Sequence, residues 1–98
     1  MRELYGIVGL CSRARQCQFG EMALAAVREG KARLVILDGS ASANTQKRYG
    51  NACAFHDVPL ILRQDMQEVA QAAGKPAAKV IAVINEGFAQ KIVKLNGN

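Results

Sequence analysis

With 98 residues, half of them hydrophobic and 21% charged, the chain is long enough for one core without disulfide or metal staples and too short for a second domain or a deep catalytic cleft. No apolar run reaches the length of a membrane span, and Met1-Arg2-Glu3-Leu4-Tyr5 lacks the blocks of a secretion signal, so a cytoplasmic location and no membrane partner are expected. Thirteen Lys and Arg against eight Asp and Glu give +5, most of it in residues 1–50 (eight basic, four acidic), and this lopsided charge suits a polyanion such as nucleic acid.

In chain order, Leu4, Ile7, Val8, Cys11 and Ala14 recur at i, i+3, i+4, i+7 and i+10, one face of an amphipathic helix, with Arg13 and Arg15 off the stripe. Gln16 to Phe19 alternates polar and apolar residues as a short strand does, and Gly20 ends it. An Ala- and Leu-rich segment from Glu21 through Glu29 reads as a second helix, with Glu21 suited to its positive end and Gly30 as a left-handed cap. Leu34 to Leu37 has no polar alternation and is too short for a helix, so it predicts a strand buried on both faces. Ligands of open α/β sheets collect beyond the carboxyl ends of strands, which makes the turn-forming Asp38 to Ser42 the first loop to consider.

A third helix is expected from Ser42 to about Phe55, with Thr45, Tyr49, Ala52 and Cys53 inward and Lys47 and Arg48 outward. Asp57-Val58-Pro59 turns into a short apolar strand, Leu60 to Leu62, and Asp65-Met66-Gln67-Glu68 has the form of a capping box for a fourth helix that stops at Gly74. After the small-residue loop Lys75 to Ala78, Lys79 to Ile84 reads as the last strand, and Asn85 caps a fifth helix carrying Phe88, Ile92 and Leu95. The order αβαβαβαβα implies a single domain, residues 1–98, built on a four-stranded sheet with helices on both faces.

Chemistry is harder to find than fold. Cys11, Cys17 and Cys53 are odd in number and contain no Cys-x-x-Cys pair, so reduced thiols without metal are expected. His56 is the only histidine, and no carboxylate and nucleophile accompany it in a recognisable set. Gly74-Lys75 lacks the remaining residues of a P-loop, and no Gly-x-Gly-x-x-Gly opens a helix. No enzyme activity and no cofactor are therefore expected. The positive signal lies in Gly20-Glu21, Asp38 to Ser42 and Gly74 to Ala78: small-residue loops at strand–helix junctions, flanked by cations, whose bare amides suit phosphates and base edges of folded RNA.

Gly9-Leu10-Cys11-Ser12-Arg13-Ala14-Arg15, Phe19-Gly20-Glu21, the run Gly30 to Leu37, Ala41-Ser42-Ala43-Asn44-Thr45, Val58-Pro59, Gly74-Lys75 and Asn85-Glu86-Gly87-Phe88-Ala89 together resemble the YlxQ-type proteins. These are the bacterial branch of the kink-turn RNA-binding large-subunit ribosomal proteins of archaea and eukaryotes. The resemblance implies a three-layer α/β/α sandwich with a four-stranded mixed sheet. It also implies a ribosome-associated, non-enzymatic RNA-binding protein in which the start of the second helix enters structured RNA and the loop before the last strand closes over it. By position, Gly20 and Glu21 stand at the first of these, and Gly74, Lys75, Pro76 and Ala77 at the second, with Arg28 and Lys31 as further phosphate contacts. Kink-turn readers carry an Asn-Glu pair at that helix start and a Lys about a turn later. Here Glu21-Met22 and then Ala25 or Ala26 occupy those places, and Met and Ala can neither read a purine edge nor hold a phosphate. The expectation is thus a monomer that binds RNA mainly through phosphates, alongside ribosomal or translation-associated proteins; the alternative is a protein-interaction module that keeps the fold without specific RNA recognition.

Overall fold

The computed structural model describes residues 2–97. Five helices and four strands alternate as the sequence predicts: α1 (Arg2–Arg13), β1 (Cys17–Phe19), α2 (Glu21–Arg28), β2 (Leu34–Asp38), α3 (Ala43–Phe55), β3 (Leu60–Arg63), α4 (Met66–Ala72), β4 (Val80–Val83) and α5 (Glu86–Asn96). The strands form one mixed sheet in the order β1-β4-β2-β3. β2 runs parallel to β3, with Val35 opposite Leu60, as a helical crossover through α3 requires. β4 is antiparallel to both its neighbours, pairing Ile81 with Phe19 on β1 and with Ile36 on β2.

Alternation along β2 and β4 builds two cores from one sheet. Leu34, Ile36, Ile81 and Val83 pack on one face with Leu4, Val8 and Cys11 of α1, Met66 and Val69 of α4, and Ala89 and Ile92 of α5. Val35, Leu37, Val80 and Ala82 point the other way, toward Ala23, Leu24 and Val27 of α2 and Tyr49 and Cys53 of α3. Every residue of β2 and β4 is buried, as double coverage demands. The result is the three-layer α/β/α sandwich.

The helix ends follow their caps. Gly30 and Gly74 take φ of 75° and 78° just beyond α2 and α4, a left-handed conformation that side-chain-free backbone adopts without penalty. Ser42 accepts from the Thr45 amide at 3.1 Å, and Asn85 from the Phe88 amide at 3.0 Å. Two expectations need correction. Ala14 does not extend the buried stripe of α1, because the helix ends at Arg13 and Ala14 is exposed. Asp65 stands at the start of α4 but caps nothing. Arg63 takes its carboxylate instead, Nε to Oδ1 and Nη2 to Oδ2 both at 2.7 Å, and the Tyr5 hydroxyl donates to Oδ2 at 2.6 Å. A forked guanidinium bond is stronger than one amide bond, so the carboxylate turns away from the helix.

Candidate nucleic-acid interface

Because β4 runs against the other strands, the carboxyl ends of β1, β2 and β3 share one edge of the sheet with the amino end of β4. Gly20-Glu21, the turn at Asp38 to Ser42 and Lys79 are thereby gathered at that edge, although they are spread over sixty residues of sequence. Gly20 precedes α2 with φ 57° and ψ −133°, a combination closed to residues with a Cβ, and offers no side chain to the helix start. No side chain caps the positive end of α2, where the Ala23 amide donates to the Gly20 carbonyl at 2.9 Å.

The loop from Gly74 folds against this entrance. Phe19, Gly20, Gly74, Lys75, Pro76, Ala77 and Ala78 line an open cavity of about 400 Å³. The Lys75 ammonium lies 5.9 Å from the centroid of the Phe19 ring, within reach of a cation–π attraction. Lys75 and Phe19 thus give the cavity a cation and an aromatic face, the two groups that respectively attract phosphates and stack on bases.

Glu21 is exposed in the first turn of α2, 3.8 Å from Arg48 of α3. Met22 beside it is 60% exposed. From Met22 the outer face of α2 continues through Ala25 and Glu29, and with Gln18, Lys31, Ile84 and the edge of the buried Ala26 it forms a depression of about 80 Å³. α2 itself, Glu21–Arg28, carries neither the Asn nor the early Lys of a kink-turn reader. Asp38 shapes its own turn: its Oδ1 accepts from the Ser40 amide at 2.9 Å and the Ser40 hydroxyl at 2.7 Å, while Lys79 lies 3.6 Å from Oδ2. These Ser40 bonds, with Lys79 contributing less, hold the Asp38 carboxyl below the usual carboxylate range.

The structure therefore brings Gly20, Glu21, Gly74, Lys75, Pro76 and Ala77 to one end of the sheet. Arg28 and Lys31 are elsewhere. Helical rise carries Arg28 about 10 Å along α2 from Glu21, and Lys31 lies beyond the end of that helix, 3.2 Å from the Glu29 carboxylate. The basic residues of the first half do not share one face either, since Arg13 ends α1 on one layer and Lys47 and Arg48 belong to α3 on the other. Phe19 and Ala78 complete the cavity lining and Arg48 stands beside Glu21; of these, only Phe19 had no site role in the sequence, although a large aromatic immediately before Gly20 was a usable signal.

The remaining polar candidates are occupied in the fold. His56 is the residue that closes α3, its ring edge-on to Phe55 at 5.0 Å. All three cysteines are free and buried. The Cys17 thiol donates to Cys11 Sγ at 3.1 Å, and this bond together with burial raises the Cys17 thiol; burial alone pushes Cys53 up to about 11. Among the described residues no group of three or more His, Cys, Asp or Glu is arranged to hold a metal.

Comparison with known proteins converges on one family. The chain is 34% identical over 94 residues to the RNA-binding protein YlxQ of Bacillus subtilis (strain 168), covering 95% of this chain and 94% of that protein. It is 33% identical over 90 residues to the protein of the same name from Enterococcus faecium, covering 91% and 86%. A solved structure described as a protein with unknown function from Bacillus halodurans C superposes with a TM-score of 0.93 at 31% identity, each chain covered completely. The Giardia lamblia 15.5kD RNA binding protein shares the fold, with a TM-score of 0.78 at 22% identity over 98% of this chain and 87% of that one. Residues 4–93 match the family model, and with the sheet order and helix layers described above they establish that the chain belongs to the ribosomal protein L7Ae/L30e/S12e/Gadd45 family.

Proposed function

We propose that this chain is a non-enzymatic RNA-binding protein that acts as a single-domain monomer in the cytoplasm. It engages structured RNA chiefly through phosphates at the end of the sheet where α2 begins. The observation that carries this reading is the meeting of Phe19-Gly20, directly before α2, with the Gly74 to Ala78 loop around one cavity, with Lys75 and Phe19 at its wall. Relatives bearing the name RNA-binding protein YlxQ, more than 30% identical over nearly the whole chain, support it. In this reading Gly20, Glu21, Gly74, Lys75, Pro76 and Ala77 form the RNA surface, and the more distant Arg28 and Lys31 add charge along the outer side of α2. Ribosomal RNA and translation-associated proteins are the partners in view.

Weak base reading follows from the outer face of α2. With Met22 and then Ala25 or Ala26 where a kink-turn reader has polar groups, discrimination rests on the shape of the RNA and on stacking at Phe19. The test is binding to a kinked and an unkinked RNA of equal length over a range of salt. Saturable binding to both, with affinity falling steeply as salt rises, is expected. No binding to either at low salt overturns the reading.

A further inference from the structure

On the opposite layer, α1 and α5 leave a groove that the RNA reading does not use. Beside its buried stripe of Leu4, Val8 and Cys11, α1 carries a second one, Glu3, Gly6, Ile7, Leu10 and Arg13, that faces α5 across a cavity of about 740 Å³, a volume typical of ligand sites. The floor is aliphatic. Leu10 is 49% exposed, and Ile7 and Leu95 flank it half-buried. Gly6 contributes no side chain, and a Cβ built there would meet nothing within 4 Å, so the groove stays open along α1.

The rim is cationic: Arg13 from α1, with Lys91 and Lys94 one turn apart on α5, against the single carboxylate of Glu3. Among the described residues, none of these three cations lies within ion-pair distance of a carboxylate. An occupant that satisfies this groove has apolar side chains for the floor and acidic groups for the rim. A second copy of the chain is a poor fit, because a +5 molecule brings further cations to a cationic rim. Nucleic acid would satisfy the rim, but the lining contains no aromatic side chain on which a base could stack.

We infer that the α1–α5 groove docks an acidic amphipathic helix of a partner protein, with leucine-like side chains at i, i+4 and i+7 seated over Ile7, Leu10 and Leu95. This is the helix-in-groove mode of recognition, with rim charges selecting the partner. None of the groove residues lines the Phe19–Gly20 cavity, so protein and RNA can be held at once.

The test uses the full chain and fluorescently labelled helical peptides with Leu at i, i+4 and i+7 and Asp or Glu on the outer face, against scrambled peptides of identical composition. Anisotropy should show saturable binding of the patterned peptides only. Leu10→Asp should weaken it about tenfold, as should Lys91→Glu combined with Lys94→Glu, whereas Lys47→Ala should leave it unchanged. Amide NMR shifts on peptide addition should cluster at Gly6, Leu10 and Leu95, which keeps the site identifiable if a variant folds poorly. Absence of saturation, equal binding of the scrambled peptides, or competitive displacement by an RNA hairpin overturns the inference. RNA affinity measured on the Leu10→Asp variant should stay at its wild-type value, so failure of the peptide to bind is distinguishable from failure of the RNA reading.

Discussion

Arg63 grips the Asp65 carboxylate with two nitrogens, each 2.7 Å from its oxygen, and extends a third to the Asn96 side chain at 2.7 Å. Tyr5 closes the cluster from α1, so four side chains join the first helix, the third strand and the last helix. The Arg63 bonds, with a smaller contribution from Tyr5, hold the Asp65 carboxyl down to about 2. A depressed carboxyl stabilises the fold fully above its unfolded value near 4, and that stabilisation drains away as pH falls toward 2. Its size is on the order of 2 kcal/mol. Urea unfolding of Asp65→Asn should show a loss of that order at pH 7 and a smaller difference from wild type below pH 3.

Asn85 should behave as a cap where Asp65 does not. Its side chain accepts from the Phe88 amide, so Asn85→Ala is expected to cost about 1 kcal/mol and Asn85→Asp much less. Thermal melts of the two variants beside wild type check this. An Asp65→Ala loss that persists when Tyr5 and Arg63 are also replaced would mean that Asp65 supports α4 after all.

For RNA, position should outweigh charge count. Lys75→Ala should lower affinity across many RNA sequences alike and reduce the salt slope by about one unit. Lys31→Ala should do less, since its ammonium is partly neutralised by Glu29 and sits away from the cavity. Glu21→Gln releases Arg48 from its 3.8 Å partner and should alter which RNA is preferred more than how tightly RNA is held. Filter binding at several salt concentrations reads all three.

The Cys17 and Cys53 thiols should be inert in the native state. Cys53 is pushed up to about 11 and Cys17 is raised, so at pH 7.5 little reactive thiolate exists at either. A disulfide reagent should modify both slowly in buffer and all three cysteines promptly in denaturant. Fast native labelling of Cys53 would show that the α2–α3 layer opens readily.

Local pattern made most of the fold legible. The unbroken apolar run of β2, the 3.6-residue stripes of the helices and the glycines after α2 and α4 each report on a few neighbouring residues, and each element formed where its pattern lies. Distant partners were invisible. Tyr5 reaches Asp65 across sixty residues, so a capping-box spelling at Asp65 could not reveal that a tyrosine from α1 and a forked arginine would claim the carboxylate. The candidate site divides the same way. The pairing of Gly20 with the Gly74 to Ala78 loop came from family resemblance, because only the antiparallel insertion of β4 makes them neighbours. Arg28 and Lys31 look close to Glu21 in sequence, yet a helix converts those few residues into about 10 Å of separation.

The position of β4 governs when the Phe19–Gly20 entrance is completed as the chain is synthesised. β2, α3 and β3 are consecutive and can assemble as soon as they exist, whereas β1 has no strand to pair with until Val80 to Val83 arrive. Contacts between such distant segments form late because closing the intervening chain is entropically slow. The cavity between Phe19 and the loop preceding β4 therefore forms only once that strand docks, and a nascent or truncated chain lacking β4 has no such cavity.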